Sequence, residues 1–259
     1  MFRANSIFIG LLATLSVHAG AASNDWSAAG VTEFTAAYQA WDGARFSKAA
    51  NLFQQACTND STKAANFYWL GVAEFHRMLQ LLGLPASDTN KIAVGIALDA
   101  AEDALTRAVK LDASHAESHA LLGTLYGMRI SENVLSAAWL GPRVQREQKL
   151  AFANGAKNPR VQYLMGMSQF YTALRTASRR EALATLLTAE KLFEAEAKSP
   201  PGPLDPRWGH DSCLTFIGSC HEKLGQPAEA ENYFRKALAM HPQDGLAQAG
   251  LQRVKKIRK

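Results

Sequence analysis

Apolar side chains recur along this chain at the spacing of a helix face. Leu98, Ala101, Leu105, Ala108 and Leu111 follow one another three or four residues apart, so one face of a helix carries them all. Four such stretches hold an apolar residue followed by glycine: Leu70-Gly71, Leu122-Gly123, Met165-Gly166 and Ile217-Gly218. Polar and breaker residues separate the stretches. Lys110-Leu111-Asp112-Ala113-Ser114 ends one helix, Asn158-Pro159 ends another and opens the next, and Gly225-Gln226-Pro227 makes a turn. Alanine and leucine dominate and long β-branched runs are missing, so the predicted elements are helices throughout.

The four glycines lie 52, 43 and 52 residues apart. Each interval exceeds a helical repeat of about 34 residues, so insertions separate degenerate repeats. Leu81 to Asp88 reads as an inserted loop, with Asp88 or Thr89 capping the helix after it. Ser131 to Pro142 reads as a second loop, carrying Trp139 and Leu140. Ser199-Pro200-Pro201-Gly202-Pro203-Leu204-Asp205-Pro206 is the richest in breakers. It reads as an inter-helix linker, with a polyproline-like lid or docking strand as the other reading. Glycine and alanine let paired helices approach closely, while Phe53, Leu105 and Phe234 are large enough to fill the space between neighbouring hairpins.

Within this register a longer pattern is legible. His119-x2-Leu122-Gly123-x2-Tyr126 follows W-x2-L-G-x2-Y with histidine in place of tryptophan, and Phe67-x2-Leu70-Gly71 follows it with Glu74 in place of tyrosine. Ala230-x3-Phe234, then Ala237 and Pro242, gives the A-x3-F…P second half, preceded by Leu214-x2-Ile217-Gly218-x2-His221. Ala49-x3-Phe53 with Ala56 repeats that second half upstream. The chain resembles the tetratricopeptide repeat family over most of its length, most fully at 211–244. The resemblance implies an all-α, right-handed α-solenoid of helix-turn-helix hairpins. Units are expected near 30–63, 64–115, 116–158, 159–210 and 211–244, with a capping helix at 245–259.

In that family the first helix of each hairpin lines a concave groove. Carried onto this register, the first unit supplies Phe34, Tyr38 and Trp41, and the second Tyr68, Val72, Phe75 and His76. The third supplies the smaller Glu117, Ala120, Thr124 and Met128, and the fourth Arg160, Tyr163, Met167, Phe170 and Tyr171. Aromatic rings there suit an apolar helix, a peptide or a hydrophobic small molecule. The alternative is that the rings pack against the inserted segments as core. The basic-and-asparagine clamp of chaperone-binding members is not reproduced.

Composition changes this picture little: 47% of residues are hydrophobic, enough to bury a core and to exclude global disorder. The N-terminus adds a location. Arg3, the apolar run Ile7 to Val17 and Ala19-Gly20-Ala21 read as a secretory signal over 1–21, leaving a domain at 22–259. The run is too short to span a bilayer, and no cysteine at the cut suggests a lipid anchor, so a periplasmic or secreted protein without a stable membrane span is expected. The net charge of +5 is mild and gathers in Arg253, Lys255, Lys256, Arg258 and Lys259, which read as a solvated helix end; no nucleic-acid partner is implied.

Candidate chemistry is sparse. Cys213 and Cys220 are about 10 Å apart along a helix, too far for a disulfide, so they and Cys57 read as buried thiols. His115 and His119 share a helix face but lack the H-E-x-x-H order of a zinc site and read as capping and packing residues. His210, Asp211, Cys213, Cys220 and His221 could form a thiolate–imidazole site, yet adjacent Cys220 and His221 point about 100° apart. No nucleotide-binding or nucleophile-elbow motif is present. The expectation is a non-catalytic exported scaffold, with no cofactor and no metal, that binds a protein or peptide in its groove. The alternative is a periplasmic small-ligand-binding component of a transport system.

Overall fold

The computed structural model describes residues 25–257; residues 1–24, which include the expected signal segment, and residues 258–259 lie outside them. Eleven α-helices occur among the described residues, and no strand. They pair as α1 (Trp26–Ala40) with α2 (Gly43–Asn59), α3 (Ala64–Leu82) with α4 (Asp88–Leu111), α5 (Ala116–Glu132) with α6 (Ala137–Gly155), α7 (Pro159–Thr172) with α8 (Thr176–Glu196), and α9 (His210–Lys223) with α10 (Pro227–Met240). A final helix, α11 (Gly245–Ile257), packs on α9 and α10. The architecture is the all-α hairpin solenoid that the pattern implies.

Helix starts follow local chemistry. Asp42 accepts from the backbone N–H groups of Ala44 and Arg45 to start α2. Asn158 does the same for α7, with Pro159 in the first turn. Ser87, not Asp88 or Thr89, caps α4, accepting from Asn90 N–H at 3.1 Å. Gly225, at φ +73°, takes the left-handed turn between α9 and α10.

Four hairpins share one packing device. Gly30, Gly71, Gly166 and Gly218 on first helices form notches filled by Phe53, Leu105, Leu186 and Phe234 of their partner helices. A Cβ on Gly71 would sit 2.5 Å from Leu105 Cγ, and one on Gly218 2.8 Å from Phe234 Cδ1. Gly123 departs from the expectation: a Cβ there meets nothing nearer than Gln148 Cγ at 3.4 Å, because α6 presents polar side chains at that height. The large side chains thus fill notches inside their own hairpins as well as space between hairpins; Phe53 also stacks on Trp69 of α3, with centroids 5.5 Å apart.

The stretch 131–142 is not a loop. α5 continues to Glu132, a single 3-10 turn spans Val134–Ser136, and α6 starts at Ala137 and runs through Pro142. Asn133 accepts from Leu135 N–H, Ser136 is buried, and buried Leu140 anchors the first turn to the core. Pro142 sits early in the helix, where its missing N–H costs a single intrahelical bond.

Candidate binding groove

First helices lie side by side along the array, α1 against α3, α5 against α7, and α7 against α9. Their inward side chains meet as the register implies, but most do not meet solvent. Phe34, Tyr68, Phe75, His76, Arg160 and Tyr163 are all buried, as is Val72. Tyr38, Trp41, Met167 and Phe170 are half-buried, and only Tyr171, at 67%, is freely exposed. The expectation of an open aromatic groove is corrected for those six residues. Glu117, Ala120 and Thr124 of the third unit are buried as well.

The breaker-rich segment covers part of this surface. Residues 199–209 connect α8 to α9 and cross the inner face as a strap. Trp69 Nε1 donates to the Leu204 carbonyl at 3.0 Å, and Trp208 Nε1 donates to the Tyr68 hydroxyl at 3.2 Å. The Trp208 ring, 2% exposed, lies 5.1 Å from His76. A buried indole of this kind removes some 150–250 Å² from water, so the contact is a strong one. Arg207 ties the other side down, donating to the carbonyls of Glu196 and Ser199. The segment is therefore docked and not a free linker, and at Gly202–Asp205 it turns rather than running extended.

Beyond the strap the two ends of the array touch. Gly209 takes φ +97°, which only glycine adopts without strain, and donates its N–H to the Tyr38 hydroxyl at 3.0 Å. That hydroxyl donates in turn to Asp211 Oδ1 at 2.5 Å. Asp211 Oδ2 lies 3.0 Å from His241 Nδ1, and the His241 ring stacks on Tyr38. Burial alone would raise the Asp211 carboxyl, but hydrogen bonds from His241 and Tyr38 hold it below the usual carboxylate value. Burial, reinforced by Asp211, pushes the Tyr38 phenol well up.

A second polar cluster lies under the strap. Glu117 accepts from Tyr68, from Asn158 at 2.7 Å and from Arg160 Nε at 2.8 Å. Arg160 also reaches Glu196. Burial works against this guanidinium, yet Glu117 and Glu196 outweigh it and raise its pKa further. Every member has partners, which is the condition for a buried ion pair to be tolerated. His76 is the contrasting case: burial lowers its pKa to about 4, and its Nδ1 donates to the Val72 carbonyl at 2.8 Å.

The other candidates disperse into structural roles. His115 Nδ1 accepts from Ser118 N–H and caps α5. His119 has Glu147 and the Ala113 carbonyl on its two ring nitrogens, so neither is free for a metal. His210 stacks on Phe193, and His221 pairs with Gln226. All three cysteines are buried free thiols. Burial pushes Cys57 and Cys220 up to about 12 and Cys213 well up, so no thiolate is available at neutral pH. Among the described residues no group of three or more His, Cys, Asp or Glu could hold a metal. A polar cavity of about 460 Å³ lies beside Arg160, Glu196 and Arg207, and an apolar one of about 370 Å³ beside Leu81, Leu84 and Val94. Neither is lined by Tyr68, Phe75 or Phe170.

Residues 212–244 match the family model described as tetratricopeptide repeat. No curated protein matches the chain. Among solved structures it is similar to a chain of the APC/C hetero-tetramer Cut9-Hcn1, at 15% identity and TM-score 0.62, over 90% of this chain but only 36% of that one. It is also similar to TTC0263, a thermophilic tetratricopeptide-repeat protein of Thermus thermophilus, at 14% identity and TM-score 0.57, over 87% of this chain and 98% of that one. A third similarity is to pilF of Pseudomonas aeruginosa, at 18% identity and TM-score 0.50, over 75% of this chain and 69% of that one. At these identities the likeness is one of fold. The chain thus carries a tetratricopeptide repeat at 212–244, and the hairpins before it share the fold of a tetratricopeptide-repeat protein.

Proposed function

We propose that the chain is a non-catalytic, exported scaffold that holds a protein or peptide partner along its inner face, at the contacts its own strap uses there. Tetratricopeptide-repeat proteins act in general as protein-interaction scaffolds. The observation that carries the reading here is the strap itself: Trp69 reads a backbone carbonyl while a pocket beside Tyr68 and His76 takes an indole. One backbone contact plus one aromatic anchor is a peptide-binding arrangement. A partner either displaces the strap or extends it over Met167, Phe170 and Tyr171, where Phe170 and Tyr171 both lie 5.6 Å from Phe216. Buried thiols support the non-catalytic reading. Export rests on Arg3, the Ile7 to Val17 run and Ala19-Gly20-Ala21. A periplasmic or secreted chain beginning near residue 22 supports it, and a cytosolic chain beginning at Met1 contradicts it.

A labelled peptide of residues 199–210 tests the groove. The Trp208→Ala variant, its fold checked by circular dichroism, is expected to bind this peptide, while the wild type, already filled, binds it at least about tenfold less well. A folded variant that binds it no better than the wild type overturns the reading.

A further inference from the structure

Two neighbouring turns carry bare apolar side chains on one edge of the array. Val134 and Leu135 stand between α5 and α6, Trp139 lies in the first turn of α6, and Leu174 follows α7; Leu135 is 79% exposed and Leu174 89%. Both turns face the same way. Asn158 and Arg160 at the start of α7 bond Glu117 at the start of α5, so these two helices run parallel. Gln148 of α6 donates to Ser168 of α7 at 2.9 Å, and from that bond α6 leads back to Trp139 as α7 leads forward to Leu174.

Charge accompanies the apolar tips. From Trp139 the exposed face of α6 continues through Arg143, Arg146 and Lys149, at helical spacing. The helix's single acid, Glu147, is buried between His119 and Arg146. Across the gap Arg175, Arg179 and Arg180 follow Leu174 and form no ion pair among the described residues. Glu132 and Glu181 are the exposed acids of these turns; with Arg146 paired to Glu147, five cations without an ion pair among the described residues face two.

We propose that this edge docks on an anionic phospholipid surface, with Val134, Leu135, Trp139 and Leu174 entering the headgroup layer and the arginines meeting lipid phosphates. Protein hot spots favour packed pockets, whereas apolar tips on convex turns fit a soft interface. An indole suits the headgroup level, and guanidinium groups pair with phosphate in two-point contacts. Among the described residues no helix is long and apolar enough to cross a membrane, so the contact is interfacial. The proposal is independent of the strap-filled groove.

Co-sedimentation of the purified chain with vesicles tests it. Binding is expected to vesicles of phosphatidylcholine mixed with phosphatidylglycerol and not to phosphatidylcholine alone, and to weaken with salt. The Leu135→Glu/Leu174→Glu double variant, altered only at exposed positions, should bind at least about tenfold less. Absence of binding to the mixed vesicles, or equal binding by the double variant, overturns the proposal. So does a dimer in light scattering that the double variant dissolves while vesicles go unbound, which would assign the edge to a second copy.

Discussion

Tyr38 on the first hairpin donates its phenolic hydrogen to Asp211 on the last, 173 residues away in sequence and 2.5 Å away in space. The two ends of the solenoid are therefore joined, and the joint runs through one hydroxyl that also receives the Gly209 N–H. Removing that hydroxyl strands a buried backbone donor and takes one hydrogen bond from a buried carboxylate. Tyr38→Phe is expected to cost about 1–3 kcal/mol while leaving helix content unchanged. Urea unfolding followed by circular dichroism measures it; a loss within a few tenths of wild type would show that the joint contributes little.

Acid should loosen the same region. In the unfolded chain His76 titrates near 6.5, but in the fold burial holds it near 4. Between those pH values the unfolded state binds a proton that the native state refuses, so stability falls as pH drops and is regained as it rises. The loss reaches about 3 kcal/mol by pH 4 from this group alone. His115 and His210 are lowered by burial too and act with the same sign. Unfolding midpoints measured across this range should fall less steeply for His76→Gln than for wild type, and parallel curves would assign the acid sensitivity elsewhere.

The glycine notches make a paired prediction. Gly71→Ala and Gly218→Ala force a methyl into Leu105 and Phe234, at a cost of about 1–3 kcal/mol each. Gly123→Ala has ordinary contact distance and gains helix propensity, so it should be neutral or stabilising by up to about 1 kcal/mol. Similar losses at all three sites would contradict the notch assignment at Gly71 and Gly218.

The hairpins were legible because helical spacing and glycine–aromatic pairing are local signals, readable within a few turns of chain. The register also brought Phe34, Tyr68, Phe75 and His76 to one surface. What covers that surface was legible only as an alternative, the lid or docking-strand reading of 199–206 with the rings packed beneath inserted segments, because Trp69–Leu204 and Tyr38–Asp211 join residues 135 and 173 positions apart and leave no periodic trace to decide it. A second signal beside that run was an isolated tryptophan, Trp208, which follows it closely and has no helical face of its own to bury it. Pro142 misled for a different reason: a proline early in a helix reads as a loop unless the anchoring of Leu140 is known. Asp211 and His241 belong to no motif and became a pair only through the closure of the array.

Indole hydrogen exchange tests the filled inner face most directly. With the tryptophans labelled, each indole N–H gives its own resonance on transfer to deuterated water. Trp69 and Trp208, bonded to Leu204 and Tyr68 beneath the strap, should exchange only on opening of the fold, while exposed Trp139 exchanges at once. A Trp208 indole that exchanges as fast as that of Trp139 would mean that the strap does not occupy the groove.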